Sequence, residues 1–479
     1  MPGFATNWCR ACVPVLLTLA GCGGKGGDTG EGDGSSGSGE STTMVDPTEM
    51  TTSVDTSTSS TDPSTTTSVM TTTPNPECGN GVREDPEQCD DGNMDPADGC
   101  EPDCTESVDT TQWSDVVGGG ASVEEAAQGV AFDSAGNAIV VGWITEVVAL
   151  PDVWVRKYAP DGTEMWTQSI DVSMGFADRA YGVAIAPDDT IAVVGVRGVA
   201  TNVGDIWIAK LGADGATQWE QTVDGPAGEN DGGRGVAVDA SGNVWVTGFV
   251  RVAAGDDDIW VGEYDATGTQ LFAEIVPGPA DLEDHGQDVD VDADGNAFVT
   301  GYVSDVDFVG DVWLRKYASD GSATWTVTFD SQSHGIDQGY GVAVAPDGSV
   351  GVAGTTALTA INENVWLGHY ASADGALIWQ KDFGGPAIKN DHGLGVAADS
   401  TGAFVVCGFK ENSDTDSDIW VRKWDLGGNV VWTQNFAGAG VDRDTAFGVA
   451  VDGNDDVAVV GEIREMANND GDIWVAKLG

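Results

Sequence analysis

Short apolar runs alternate along most of the chain with turns rich in Gly, Asp and Asn. In one stretch, an apolar run at 236–238 is followed by a turn at 239–243 and a second run at 244–248. Short β-branched and aromatic runs bounded by such turn residues are typical of antiparallel strands joined by hairpins. The pattern predicts an all-β fold for residues 110–479.

This unit is repeated seven times. A strand start resembling Gly-Val-Ala recurs after 53, 53, 53, 53, 54 and 53 residues, at Gly129, Gly182, Gly235, Asp288, Gly341, Gly395 and Gly448. An Asp/Asn-x-Trp motif recurs after 53, 53, 53, 53, 54 and 54 residues, at Trp154, Trp207, Trp260, Trp313, Trp366, Trp420 and Trp474. Self-similarity of this length is typical of propellers and solenoids.

A third aromatic position distinguishes between these two folds. It occurs in six units, at Trp166, Trp219, Phe272, Trp325, Trp379 and Trp432, and no equivalent follows Trp474. Trp113 lies 53 residues before Trp166 in a similar sequence. We therefore predict that an N-terminal strand completes the last blade and closes a seven-bladed β-propeller of four-stranded blades, in which few edges are exposed. Solenoids stack openly and need capping repeats, which disfavours them.

The N-terminus has the pattern of an export signal. Its apolar run at 13–20 is too short to cross a bilayer, and we predict a signal peptide over residues 1–21. The run ends in Leu-Ala-Gly-Cys at 19–22, which resembles the bacterial lipobox and implies that Cys22 is lipidated. An ordinary secretory signal is the alternative. We expect a lipid anchor in the cell envelope, and Gly23 fits the outer membrane in the best-known sorting rule.

Two segments separate this signal from the propeller. Residues 22–76 are rich in Gly, Ser and Thr with almost no aliphatic residues, which predicts a disordered tether. Residues 77–105 contain CGNG, EQCDDGN and DGC motifs and resemble the Myxococcus-type cysteine-rich repeat, with its cysteines at Cys78, Cys89, Cys100 and Cys104. Four cysteines in an exported chain imply two disulfides, and three pairings remain open. A zinc knuckle is the alternative, although this segment has no CxxC pair and no nearby His.

The charge of the chain limits its partners. With 20 Lys and Arg against 78 Asp and Glu, the formal net charge is -58, which excludes nucleic acid as a partner because phosphates would be repelled. The repeat resembles β-propeller repeats of bacterial surface proteins in residues 235–239 and 258–261. Together these features predict a membrane-anchored module that binds a protein, a glycan or a cationic ligand.

Two acidic series follow the repeat. One lies four residues before each strand start, at Glu125, Asp178, Asp231, Asp284, Asp337, Asp391 and Asp444. The other lies two residues before each Trp, at Asp152, Asp205, Asp258, Asp311, Asn364, Asp418 and Asp472. The first and third strands of a meander run in the same direction, so both series should lie on one face. The carboxylates either cap backbone N–H groups of their own turns or converge on calcium, for which Asp414, Asp416 and Asp418 form the best local run.

Three histidines offer an alternative site on that face. His285, His334 and His392 precede the fourth, fifth and sixth blades, and with the neighbouring aspartates they form a candidate transition-metal or acid/base site. Cys407 and His369 occupy repeat positions and are predicted to be structural. No blade carries an insertion long enough for a lid, which favours a non-catalytic binding or adhesive module. The alternative is a metal-dependent propeller hydrolase or lyase that uses the His and Asp face.

Overall fold

The computed structural model is a seven-bladed β-propeller. It describes residues 110–118, 125–145, 150–200, 203–305, 309–331, 335–359, 362–384, 389–413, 416–438, 443–464 and 471–479. In these ranges, all the regular structure is β-strand, arranged in seven four-stranded antiparallel sheets. Among the described residues, no helix is long and apolar enough to cross a bilayer. The predicted signal peptide, Cys22, the tether, the cysteine-rich module, His334 and Asp414 lie outside these ranges.

Each blade has an inner, a second, a third and an outer strand. The inner strands are β2 (Ala126–Phe132), β6 (Arg179–Ile185), β10 (Gly232–Val238), β14 (His285–Val291), β18 (Gln338–Val344), β22 (Asp391–Ala398) and β26 (Thr445–Val451). The second strands are β3 (Ala138–Ile144), β7 (Ile191–Ala200), β11 (Val244–Ala253), β15 (Ala297–Ser304), β19 (Val350–Thr359), β23 (Phe404–Ser413) and β27 (Val457–Arg464).

The third and outer strands complete the sheets. The third strands are β4 (Asp152–Tyr158), β8 (Val203–Leu211), β12 (Asp256–Tyr264), β16 (Gly310–Tyr317), β20 (Asn362–Tyr370), β24 (Asp416–Trp424) and β28 (Gly471–Leu478). The outer strands are β5 (Glu164–Ile170), β9 (Thr217–Val223), β13 (Gln270–Val276), β17 (Ala323–Phe329), β21 (Leu377–Phe383), β25 (Val430–Phe436) and β1 (Thr111–Val117).

The ring closes as predicted, through the N-terminal strand. The seventh blade has the strand order β1-β28-β27-β26, so the first strand of the chain is the outer strand of the last blade. Inner strands β26 and β2 pack together like every other neighbouring pair of inner strands. The indole Nε1 of Trp113 also donates to the carbonyl oxygen of Pro160 in the first blade at 3.0 Å.

Tryptophans hold the blades together at two levels. The Trp of each Asp/Asn-x-Trp motif is at most 4% exposed, because it packs between blades. The outer-strand indoles of several blades donate to a carbonyl of the next blade, in the pairs Trp113–Pro160, Trp219–Ala266, Trp325–Ser372 and Trp379–Leu426. The turn that receives Trp113 has Gly162 at φ 83°, and a Cβ there would lie 2.8 Å from the indole. That turn therefore requires glycine for both its backbone conformation and its contact.

Every inner strand contains a β-bulge near its start. In β10 the pairing register shifts between Gly233 and Gly235, and the other six inner strands shift at the equivalent position. The bulge pushes the carbonyl oxygen of Gly232 towards the second strand, where a Cβ added at Gly248 would lie 2.0 Å from it. The equivalent distance is 1.9 or 2.0 Å in all seven blades. The glycine inside each second strand is thus required by the bulge.

We predict that Gly248→Ala destabilises the propeller by about 3 kcal/mol, because the new methyl group overlaps the Gly232 carbonyl and the backbone must shift. Guanidinium unfolding of the full chain measures this change. Gly453→Ala is the matched control, since no heavy atom lies within 4 Å of a Cβ built there. Equal unfolding midpoints for the two variants would contradict the proposed role of the bulge.

Candidate functional site

Both acidic series lie on one face of the disc, as the strand directions predict. Here the inner strands begin, the outer strands end, and the loops join second to third strands and one blade to the next. We call this surface the aspartate face. The hairpin turns between inner and second strands and between third and outer strands lie on the opposite face.

The buried aspartate before each inner strand links three elements. Asp178 Oδ2 accepts hydrogen bonds from the backbone N–H of Val172 at 2.8 Å and of Ser173 at 2.9 Å, in the loop that follows β5. Its Oδ1 accepts from the N–H of Gly198 in β7 at 2.9 Å. Its own N–H donates to the carbonyl of Pro151, next to β4, at 2.8 Å. The carboxylate therefore ties one blade to the second strand of the next.

The same links recur around the ring. Asp231 accepts from Gly225 and Arg251, Asp337 from Ser331 and Ala357, and Asp444 from Gly438 and Arg464, at 2.5 to 2.8 Å. Asp284 accepts from Ser304 at 2.6 Å and Asp391 from Glu411 at 3.0 Å. Capping of backbone N–H groups is confirmed for the six aspartates of this series, and it reaches beyond each residue's own turn.

Three blades add a further acidic residue, so that three carboxylates converge. The clusters are Asp152, Asp171 and Asp178; Asp205, Asp224 and Asp231; and Asp311, Asp330 and Asp337. In each cluster, one ligand oxygen per residue lies within 4.8 Å of the others. The third-strand residue is partly buried, the residue after the outer strand is exposed, and the residue before the inner strand is buried. This geometry can hold a cation.

Sequence reasoning missed the exposed member of each cluster. Asp171, Asp224 and Asp330 each lie five residues after the aromatic residue of the outer strand and seven before the buried aspartate. The same position holds Gly118, Pro277, Gly384 and Ala437 in the other four blades. A Cβ built at Gly118 would lie 2.5 Å from an oxygen of Asp472, so this position faces the third-strand acid in other blades too. Comparing the repeats at this position would have found the clusters.

In two of the three clusters, the electrostatics disfavour full ionisation. Burial raises the pKa of Asp231 to about 6 against the effect of its backbone hydrogen bonds, and the charges of Asp224 and Asp205 act in the same direction as burial. Burial and the charge of Asp224 raise the pKa of Asp205, although the positive charge of Arg197 opposes them. Burial also raises the pKa of Asp337, and Asp330 adds to the effect. A bound cation would relieve this repulsion.

The other predicted metal ligands do not form such a cluster among the described residues. Asp416 and Asp418 lie in strand β24, and their charges add to the burial that raises the pKa of Asp444. The position after the outer strand of this blade is Ala437, which brings no third ligand. Burial raises the pKa of Asp284 to about 7, and Asp258 and Asp256 contribute.

His285 and His392, the two described histidines of the alternative site, do not pair with the neighbouring Asp284 and Asp391 but with other carboxylates. His285 Nε2 lies 3.3 Å from Asp257 Oδ2, and its ring stacks on Phe249 with centroids 4.0 Å apart. His392 Nε2 lies 2.9 Å from Glu363 Oε2. Burial lowers the pKa of His285, although its hydrogen bond with Asp257 opposes that effect. Each histidine thus forms a separate His–carboxylate pair at its own blade boundary.

One further exception to the repeat lies on the opposite face. In the first, fourth, sixth and seventh blades, a buried or partly buried lysine pairs with an aspartate of the first hairpin turn, as Lys477 does with Asp452 at 2.9 Å. In the third blade, Glu263 takes the place of the lysine and is 3% exposed. Burial and the nearby charge of Asp239 raise its pKa to about 7. Of the two exceptions noted in the sequence, His369 is 3% exposed in the fifth blade and Cys407 is fully buried.

We predict that Glu263 makes the propeller less stable as the pH rises. Its folded pKa lies above the ordinary value of 4.5, so the stability it contributes is complete below about pH 4.5 and is lost as the pH rises through 7. As the pH rises from 5 to 8, the free energy of unfolding of the Glu263→Gln variant should therefore increase by up to about 3 kcal/mol relative to that of the unsubstituted chain. Urea midpoints at both pH values measure the difference.

Glu220→Gln is the control for this prediction, since Glu220 is an exposed carboxylate of outer strand β9. The difference in free energy of unfolding between the Glu220→Gln variant and the unsubstituted chain should not change with pH. A gain of equal size for both variants would contradict the role of burial.

No protein-family model and no curated protein matches this chain. Among solved structures, it is similar to a protein of unknown function from Dyadobacter fermentans DSM 18053, at 9% identity and a TM-score of 0.46, over 77% of this chain and 98% of that one. It is also similar to XC5397, a gluconolactonase from Xanthomonas campestris, at 14% identity and a TM-score of 0.36, over 75% of this chain and 98% of that one. A third similar structure is the β-propeller domain of the Trilobed protease from Pyrococcus furiosus, at 12% identity and a TM-score of 0.43, over 74% of this chain and 95% of that one. These neighbours differ in function, so they do not separate binding from catalysis.

Proposed function

We propose that the protein is a binding module of the cell envelope, held at the outer membrane by lipidated Cys22 and a flexible tether, whose aspartate face binds calcium ions. One observation carries the proposal. The repeat places two acids on this face in most blades, and in three blades an additional exposed aspartate completes a cluster. An exposed carboxylate beside two partly or fully buried ones is unfavourable without a counter-charge.

Calcium fits these clusters better than a transition metal does. Ca²⁺ takes six to eight oxygen ligands in flexible geometry, and each cluster supplies oxygens from three carboxylates. Imidazole and thiolate, which transition metals favour, are absent from the three clusters. Coordination positions left to water would be available to oxygens of a protein or glycan partner. The propeller would then act as a calcium-dependent binding or adhesive surface.

The tether and anchor support a role at the surface. A Gly/Ser/Thr-rich segment of about 55 residues spans roughly 40 Å as a flexible coil, enough to hold a domain clear of a membrane. Multiple acyl chains on one cysteine would anchor the protein stably. Labelling with radioactive palmitate, lost in Cys22→Ala, tests this part of the proposal.

We predict that millimolar calcium raises the melting temperature of the full chain by a few degrees and that chelation reverses the rise. A site with a Kd of about 0.5 mM contributes about 1.4 kcal/mol at 5 mM calcium, and three sites contribute independently. The triple variant Asp171→Asn, Asp224→Asn, Asp330→Asn should lose the shift, because it removes the exposed ligands and leaves the buried links intact. Calorimetric titration should show about three sites in the unsubstituted chain.

The chain offers a matched control. Asp161, Asp214 and Asp320 lie in the same three blades on the opposite face, where each accepts a hydrogen bond from its own turn. Their triple Asn variant makes the same change in net charge and should keep the calcium shift. No shift at 5 mM calcium, or equal shifts in both triple variants, would sink the calcium proposal.

A metal-dependent hydrolase or lyase is the second candidate, favoured by the His285–Asp257 and His392–Glu363 pairs. A carboxylate that orients a histidine is a common feature of acid/base and metal sites. Elemental analysis of the purified full chain separates the two functions. A stoichiometric transition metal that is lost in His285→Ala and His392→Ala would favour the enzyme, whereas calcium alone would favour the binding module.

A further inference from the structure

One position of the inner strands departs from the repeat far more than its neighbours. The residue before it is Gly or Ala in all seven strands, and the residue after it is Gly in six. The position itself holds five residue types, as Gln128, Tyr181, Arg234, Gln287, Tyr340, Leu394 and Phe447. It is the extra, unpaired residue of each β-bulge, as Arg234 is between Gly233 and Gly235 in β10. Bulges re-aim side chains and are frequent beside binding sites.

The fold collects these seven residues around the axis. Inner strands surround the propeller axis, and the bulge lies near their start, so the seven residues surround the axis on the aspartate face. We call them the bulge ring. All seven are partly exposed. None belongs to the aspartate clusters or to the two His–carboxylate pairs.

A positively charged arc lies on one side of the ring. The guanidinium carbon of Arg234 lies 4.6 Å from the centroid of the Tyr181 ring and 5.3 Å from that of Phe249. Arg179, at the start of β6, lies 5.4 Å from the centroid of Trp143 and forms no ion pair within the described ranges. Burial lowers the pKa of Arg234, and the positive charge of Arg179 acts in the same direction. The planar N–H donors of each guanidinium group match an oxyanion such as a carboxylate.

The rest of the ring is neutral. Gln128 and Gln287 offer amide donors and acceptors, and Tyr340 offers a hydroxyl that donates to Gln338 at 2.5 Å. Leu394 and Phe447, in the sixth and seventh blades, are apolar and lie across the axis from Arg234. A ligand that matches this set has one negative group, several hydroxyl groups and an apolar face. A uronic acid sugar has all three, whereas an acidic peptide lacks the hydroxyl groups.

We propose that the bulge ring binds a uronic acid unit of an acidic glycan, with its carboxylate on Arg179 and Arg234 and its hydroxyl groups on the Gln and Tyr side chains. The inference rests on the proposed function, because it names a ligand class for the same binding module. It uses different residues from the calcium clusters, so each can fail without the other.

The test is calorimetric titration of the full chain with trigalacturonate in 0.15 M NaCl and EDTA, which removes any contribution from calcium. We expect saturable binding of one molecule per chain. The methyl ester of the same trisaccharide should bind at least tenfold more weakly, because it keeps the hydroxyl groups and loses the charge. Tri-glutamate should bind at least tenfold more weakly, because it keeps the charge and loses the hydroxyl groups.

Arg179→Gln should weaken trigalacturonate binding at least tenfold without unfolding the chain, since Arg179 is partly exposed and has no ion pair to lose within the described ranges. Arg234→Lys tests the second contact, with far-ultraviolet circular dichroism as the check on folding. Arg443→Gln is the control, because its side chain is 44% exposed on the same face and lies outside the ring. Its affinity should match that of the unsubstituted chain.

Several outcomes would overturn the proposal. These are the absence of binding at millimolar trigalacturonate, equal affinity for the methyl ester or for tri-glutamate, or an equal effect of Arg179→Gln and Arg443→Gln. A calcium response without trigalacturonate binding would retain the binding module and reject this ligand. Trigalacturonate binding without a calcium response would retain the binding module and this ligand and reject calcium binding by the aspartate clusters.

Discussion

A buried carboxylate at each blade boundary is the interaction on which the propeller's architecture depends. Among the described residues, neighbouring blades share only isolated β-bridges, Asp257 with Glu283 and Ser417 with Arg443, so their relative position rests mainly on side-chain packing and on the loops between them. Asp178 and its equivalents bond to the loop of one blade and to the second strand of the next, and their own N–H groups bond to the preceding third strand. Such hydrogen bonds to a charged acceptor are stronger than neutral ones, and leaving the buried N–H groups unpaired would be costly.

This link also determines where acidic charge collects. A carboxylate is needed at each boundary, and the neighbouring third strand brings a second acid close to it in most blades. The buried acid of each cluster therefore has a structural origin and the third-strand acid recurs around the ring, so only Asp171, Asp224 and Asp330 require another explanation. The distinction matters because a purely structural acid would not need to be exposed. Their exposure, and their restriction to three blades, separate them from the links.

Most of the fold could be predicted from the sequence, because the repeat reports the same local constraint seven times. The strand order, the closure by the strand around Trp113 and the common face of the two acidic series all follow from spacing and strand direction. The partners of individual side chains do not follow. His285 was expected beside Asp284, yet it meets Asp257, which approaches from the preceding blade. Contacts across a blade boundary depend on packing between sheets, which spacing along one chain does not encode.

The repeat also explains why the variable bulge position was hard to recognise. A bulge shifts pairing by one residue, and strand periodicity alone gives no sign of it. In the structure, the glycine of each second strand packs against the backbone of the bulge opposite it. The bulge residue itself is free of the constraint that fixes the residue before it as Gly or Ala. Variation is therefore permitted there without loss of the fold. The same freedom places five residue types around one axis, beside acidic clusters of opposite charge to Arg179 and Arg234. A cation on those clusters would reduce the negative potential that an anionic ligand meets, so the two proposed sites would be thermodynamically linked, each favouring the other.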